Sequence, residues 1–251
     1  MASTSETGHA RNVANFERLI AICSGYGAKY NPSNPALQIT SLQEILNRSR
    51  SSLQDINTQM AAYKKAIGAR QSCYTTLRPL ATRVVNALAA TDAPAKVKED
   101  CRSINRKIQG TRASTGKTAA ASSNGTAAAA TEAEPTEKSI STSRQSFDLL
   151  AEHFSALIAA LSTEPAYQPN ETDLQLSALQ TCYTDMSQAN VAAAHAGIGL
   201  ANARILRNNV IYGDKSGLCD IATAVKAYVK SVFGNASPEY KQVSGMQFLK
   251  K

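Results

Sequence analysis

The segment from residue 110 to residue 118 carries the pattern closest to a chemical motif in this chain. It reads Gly110-Thr-Arg-Ala-Ser-Thr-Gly116-Lys117-Thr118, with the glycines and lysine that a phosphate-binding loop uses to surround a phosphate. That loop needs four residues between its glycines, and this segment has five. It also needs a strand before it and a helix after it to fix the N–H groups, and the sequence predicts neither. We therefore predict no nucleotide site here.

The histidines and cysteines lack the spacing of a metal site or a catalytic centre. His9, His153 and His195 lie far apart, and none belongs to an H-E-x-x-H pattern. The cysteines are odd in number, widely spaced and without a C-x-x-C pair: Cys23, Cys73, Cys101, Cys182 and Cys219. We predict no catalytic residue, no metal and no cofactor, and we expect a non-enzymatic protein with no small-molecule substrate.

No segment has the features of a secretory signal or a membrane span. Residues 1–10 lack the basic start and apolar stretch of a signal peptide. The chain has no run of about 18 apolar residues, the length that a spanning helix needs. Together with unpaired cysteines, which are typical of a reducing compartment, these features predict a cytoplasmic protein.

Positive charge is concentrated in the first half of the chain. Residues 1–112 contain 16 basic and 7 acidic side chains, whereas residues 141–251 contain 9 of each. Four basic residues of one predicted helix are the candidates for contacting an anion or nucleic acid: Lys98, Arg102, Arg106 and Lys107. The first three share a helix face, but no aromatic residue accompanies them, so the pattern does not indicate base stacking. A solvated basic helix and a phosphate-contacting surface are the two interpretations.

A heptad pattern between residues 42 and 77 predicts the element around which the fold is built. Its members follow one another at alternating spacings of four and three, which places them on one helix face, as in a coiled coil. The apolar and aromatic members are Leu42, Leu46, Leu53, Ile56, Met60, Tyr63, Ile67, Tyr74 and Leu77. Ser49 and Arg70 occupy the same seam, where they are poorly suited to a dry core.

The fold class that we predict is all-α, since alanine is abundant, tryptophan is absent and aromatic residues are few. Residues 1–10 are predicted to be disordered, and residues 111–142, rich in Ala, Ser, Thr and Gly, to form a flexible linker. Residues 11–110 and 143–251 are predicted to form two helical repeats.

The two repeats are interpreted as copies of one module. Phe16-Glu-Arg-Leu-Ile-Ala21 matches Phe154-Ser-Ala-Leu-Ile-Ala159, and Leu37-Gln-Ile-Thr-Ser-Leu-Gln43 matches Leu174-Gln-Leu-Ser-Ala-Leu-Gln180. The matching segments occur in the same order in both halves, which helical periodicity alone does not produce. We therefore expect an elongated bundle with pseudo-two-fold character.

The second long helix has its own apolar pattern, at Val191, Ala194, Ile198, Ala201, Ile205 and Tyr212. Small residues dominate around it, including Gly197 and Gly199. Because small side chains let helix backbones approach closely, we predict that this stretch packs against the first long helix. His195, in the same stretch, is expected to line the bundle.

The chain also resembles a group of uncharacterised helical repeat proteins of Bacteroidetes. The resemblance covers nearly the whole chain apart from the linker, and it rests on Tyr30–Asn34, Lys107–Ser114, Tyr228–Gly234 and Ser237–Gly245. It implies a bacterial origin. The group has no activity or functional residues that could be transferred to this chain.

The function that these patterns favour is structural: a scaffolding or interaction protein that self-assembles, or binds a protein partner, through its long helices. The first alternative is a basic helical protein that binds nucleic acid through its phosphates. A membrane-active helical protein is the third, although no apolar tongue is present and a membrane partner is not expected.

Overall fold

A computed structural model describes residues 4–110 and 145–249, and this part of the chain is all-α, as predicted. The helices in chain order are α1 (Thr4–Gly25), α2 (Ile39–Thr75), α3 (Leu77–Ala89), α4 (Ala95–Gln109), α5 (Phe147–Ser162), α6 (Leu176–Tyr212), α7 (Leu218–Phe233) and α8 (Pro238–Ser244). The linker predicted at residues 111–142 lies outside the described residues.

Most helix ends follow from local residue chemistry. Gly110 ends α4 with a φ of 75°, a left-handed conformation that glycine adopts without a steric penalty. Ser146 and Ser237 cap α5 and α8, since each hydroxyl accepts a hydrogen bond from a backbone N–H three residues later. Pro79 lies in the first turn of α3, where its missing N–H costs no hydrogen bond.

The first helix begins earlier than the sequence predicts, so the expectation of disorder across residues 1–10 is wrong for residues 4–10. The side chains of His9 and Asn12 are fully buried. His9 Nδ1 lies 2.7 Å from the hydroxyl oxygen of Tyr212, and Asn12 Nδ2 donates to the carbonyl oxygen of Leu249 at 2.9 Å. These partners follow 203 and 237 residues later, so the local sequence gives no sign of them.

The described chain divides into two compact units that do not follow the order of the two repeats. Unit 1 contains residues 1–65 and 194–251, and unit 2 contains residues 66–193. Each unit therefore combines part of the first repeat with part of the second, and α2 and α6 each contribute residues to both.

The core of unit 1 is formed where α7 packs against α1 and α8. Phe16 and Leu19 of α1 are fully buried there, together with Val225 of α7. Tyr30 precedes α2, and its buried hydroxyl donates to the carbonyl oxygen of Leu37 at 2.8 Å. This hydrogen bond closes the turn that leads into the long helix.

The core of unit 2 is formed where α4 packs against α3 and α5. Leu88, Ile108 and Phe154, one from each helix, are fully buried. Tyr167 precedes α6, and its hydroxyl donates to the carbonyl oxygen of Leu174, also at 2.8 Å. The turn before the second long helix is thus closed by the same hydrogen bond as the turn in unit 1.

Candidate interaction surfaces

The heptad seam, which runs along α2 and ends at Leu77, the first residue of α3, is covered by the chain itself. Leu42, Leu46, Ile56, Tyr74 and Leu77 are buried, and the remaining apolar members are half-buried: Leu53, Met60, Tyr63 and Ile67. The seam is divided between the two units, since its members up to Tyr63 belong to unit 1 and those from Ile67 belong to unit 2. A seam that is already covered offers little free surface to another protein.

The two polar seam positions are accommodated by specific contacts. Ser49 is fully buried, and its hydroxyl donates to the carbonyl oxygen of Ile45 at 2.8 Å. The guanidinium carbon of Arg70 lies 4.4 Å from the centre of the Phe147 ring, a cation–π distance. Each contact is internal to one unit, that of Ser49 to unit 1 and that of Arg70 to unit 2. The Nε atom of Arg70 is buried without a hydrogen-bond partner among the described residues.

A small polar network is built around Tyr74 in unit 2. The hydroxyl of Tyr74 donates to the carbonyl oxygen of Phe147 at 2.9 Å and accepts from Asn190 Nδ2 at 2.8 Å. Asn190 Nδ2 also lies 3.0 Å from a carboxylate oxygen of Asp148. Burial raises the pKa of Tyr74, against a smaller lowering by the Asn190 hydrogen bond. Through these two hydrogen bonds Tyr74 links α2 to α5 and α6.

The basic residues of α4 are largely engaged by neighbours in unit 2. Arg106 pairs with Glu99 at 2.9 Å, and Lys96 pairs with Asp100 at 2.7 Å. Lys98 is half-buried and donates to the backbone oxygen of Thr91 at 2.5 Å. Arg102 and Lys107 are exposed, and Arg102 is 3.9 Å from Glu99. The helix thus presents a mixed ionic surface that keeps an excess of positive charge.

The part of α6 in unit 1 has two different apolar faces. Leu200 and Ala203 are buried in a small cluster with Ile56 of α2. On the same side, a Cβ added to Gly197 would lie 3.4 Å from the Tyr63 ring, and one added to Gly199 would lie 2.8 Å from Gln59 Oε1. The predicted close approach of the glycines to α2 therefore holds for this face.

The other face of α6 is open. The α6 stripe, as we call it, consists of residues at heptad spacing in unit 1: Ala194, Ile198, Ala201 and Ile205. Ile198 and Ile205 are 59% and 58% exposed. The predicted packing of this stretch against the first long helix is confirmed for the opposite face, through Leu200 and Ala203, and these four residues take no part in it. The periodicity was visible in the sequence, but periodicity does not say whether a partner is present.

The histidines and cysteines do not gather into a site. His195 is exposed, so its predicted position lining the bundle is wrong. None of the five cysteines forms a disulfide. Burial raises the pKa of Cys23 to about 12, so this thiol stays protonated and is a poor nucleophile at neutral pH. Within residues 4–110 and 145–249, no group of three or more candidate ligands could hold a metal ion.

The comparisons with known proteins add no assignment. No family model, curated protein or solved structure matches the chain. In the part of the chain that the structure describes, no helix is both long and apolar enough to cross a membrane.

Proposed function

We propose that this protein is a non-enzymatic scaffolding or interaction protein that binds protein partners through exposed helix surface. The observation that supports this most directly is the α6 stripe, which keeps two isoleucine side chains more than half exposed. Single exposed apolar residues are common, but a regular apolar row on the surface is typical of an interface. A helix that is apolar on two opposite faces needs a partner for each, and in unit 1 α2 occupies one of them.

Photo-crosslinking in cells that make the protein naturally would test this function. A photoreactive amino acid at Ile198 should form a covalent adduct with a protein partner, because the side chain lies in the stripe. The same amino acid at Thr58, an exposed position on α2, serves as the control and should form none. Equal yields from the two positions, or no adduct from Ile198, would contradict the proposal.

We further propose that the scaffold arose from two copies of one helical module with pseudo-two-fold character. Two matched contacts support this beyond the sequence matches. The Tyr30–Leu37 and Tyr167–Leu174 hydrogen bonds have the same length and the same separation in sequence. The aromatic rings of His9 and Tyr212 are paired in unit 1, and those of Phe147 and Tyr74 in unit 2, at positions that differ by 138 residues.

Nucleic-acid binding remains the alternative, since the basic residues of α4 outnumber its acidic ones. Binding through phosphates would weaken steeply as salt rises, because each contact releases a counterion. Neutralising Lys98, Arg102, Arg106 and Lys107 together should then abolish binding to a nonspecific duplex in a fluorescence anisotropy titration. Neutralising Lys215, Lys226, Lys230 and Lys241 removes the same number of positive charges outside α4 and is the matched control. An equal loss from both variants would argue against a site on α4.

A further inference from the structure

The α6 stripe has a shape that matches a reversed copy of itself. Along the helix its side chains alternate small and large: Ala194, Ile198, Ala201 and Ile205. Helices that pack through a heptad seam place the side chains of one helix into the spaces of the other, in layers. Facing positions fill best when a large side chain meets a small one, so the direction of a second helix decides the quality of the fit.

An antiparallel arrangement pairs every large side chain of the stripe with a small one. With the two-fold axis between positions 199 and 200, Ile198 faces Ala201 of the second copy, and Ile205 faces Ala194 of the second copy. Symmetry repeats both layers, which gives four layers with one isoleucine and one alanine each. A parallel, in-register pair would instead set isoleucine against isoleucine and alanine against alanine, which leaves the alanine layers underfilled.

The residues that flank the stripe are compatible with the same arrangement. The antiparallel register brings Arg204 beside Gly197 of the second copy, where the missing side chain leaves room for the guanidinium. His195 comes beside Asn202 of the second copy, and both are exposed polar side chains. No acidic residue lies between Asp185 and Asp214, and this register does not bring the two Arg204 side chains together. The pairing therefore opposes no like charges, which would otherwise disfavour it.

The length of the α6 stripe indicates how strong an association it can support. Twelve residues of helix span about 18 Å, so the contact is smaller than a stable interface of roughly 1,200–2,000 Å². A short apolar contact without an ionic rim predicts association that depends on concentration, rather than an obligate dimer.

We infer that the α6 stripe is a self-association surface, through which two copies of this chain pair with their α6 helices antiparallel. This inference rests on the proposed function, since it names the partner for the same stripe. The pair is isologous, because each copy contributes the same residues. The α2 face of α6 stays covered within each copy, so the two contacts do not compete.

Sedimentation analysis of the full chain, from micromolar to millimolar concentration, tests the pairing. The unmodified protein should shift from monomer to dimer. Ile198→Lys should raise the dissociation constant about tenfold or more, because it places an unpaired charge in the seam. Leu206→Lys is the matched control: Leu206 is 63% exposed on the same helix but lies outside the stripe, so this variant should dimerise normally. Because both positions are exposed, circular dichroism should report unchanged helix content.

A charge-exchange experiment tests whether the two α6 helices pair antiparallel or parallel. Ile198→Glu and Ala201→Lys should each stay monomeric alone, whereas their mixture should form a heterodimer, because positions 198 and 201 face each other in the antiparallel register. A parallel pair would place 198 against 198 and 201 against 201, and mixing would restore nothing. A mixture that stays monomeric while the unmodified protein dimerises overturns the antiparallel arrangement.

The two proposals can fail separately. An unmodified chain that stays monomeric at millimolar concentration overturns self-association. If the crosslinker at Ile198 nevertheless captures a different protein, the interaction function stands and only the identity of the partner is wrong. If Ile198 captures nothing and the chain stays monomeric, both proposals fail.

Discussion

Two buried tyrosine hydroxyls close equivalent turns in the two units. Removing each in turn measures how much one such hydrogen bond contributes to the free energy of unfolding. Tyr30 and Tyr167 each donate to a backbone carbonyl at 2.8 Å. Tyr167→Phe should lower the free energy of unfolding by about 1–3 kcal/mol, because it leaves the Leu174 carbonyl buried without this donor. Tyr30→Phe should have a similar cost in unit 1, and chemical denaturation of both variants would measure it. A cost confined to one variant would show that the two turns are not equivalent.

The same tyrosine predicts how stability changes at high pH. Burial raises the pKa of Tyr167 from 10.0 to about 12, so the folded state favours the neutral hydroxyl. Its contribution is fully present below pH 10 and is lost as the pH rises from about 10 towards 12, since the unfolded chain then gains stability by ionising. Stability measured across this interval should fall less steeply in Tyr167→Phe than in the unmodified protein. Equal slopes would mean that Tyr167 does not titrate with a raised pKa.

At the scale of the helices, two glycines of unit 2 should respond in opposite directions to the same substitution. Gly68 lies within α2, and nothing lies within 4 Å of where its Cβ would be. Gly68→Ala should therefore stabilise by up to about 1 kcal/mol through helix propensity.

At Gly110 the same substitution should be destabilising, because this glycine ends α4 with a φ of 75°. An alanine there would place Cβ 2.9 Å from Gln145 Cδ, and a left-handed conformation costs a non-glycine residue about 1–2 kcal/mol. Gly110→Ala should lower the unfolding temperature, whereas Gly68→Ala should raise it. A rise in both would mean that the end of α4 relaxes without strain.

The sequence predicts the elements better than it predicts their partners. The helical class follows from composition, and the ends of α4 and α7 follow from Gly110 and Gly234. The early start of α1 could not be predicted, because it depends on the contacts of His9 and Asn12 with residues near the other end of the chain. The exposure of the α6 stripe could not be predicted for a related reason. Heptad spacing identifies an apolar face of a helix, but it does not show that α2 packs against a different face of α6.

At the scale of the whole molecule, each unit is completed by helices from both sides of residues 111–144. In unit 2, α5 packs against α4, and in unit 1, α7 packs against α1. A protease site introduced at residue 125 should therefore give fragments that stay together after cleavage, because both cores join the two fragments. Gel filtration of the cleaved protein should recover fragments 1–125 and 126–251 in one peak. Two separate peaks would mean that neither core can hold the fragments together.

The segments that make up each unit also determine the order in which the two units can fold during synthesis. Unit 2 is continuous in sequence, so α5 finds α3 and α4 already present when it leaves the ribosome. The apolar face of α1, with Phe16 and Leu19, must wait for α7, about 200 residues later, or roughly 10–40 s at ordinary translation rates. We expect unit 2 to fold first, and the N-terminal helix to be the segment of the nascent chain that most depends on chaperones.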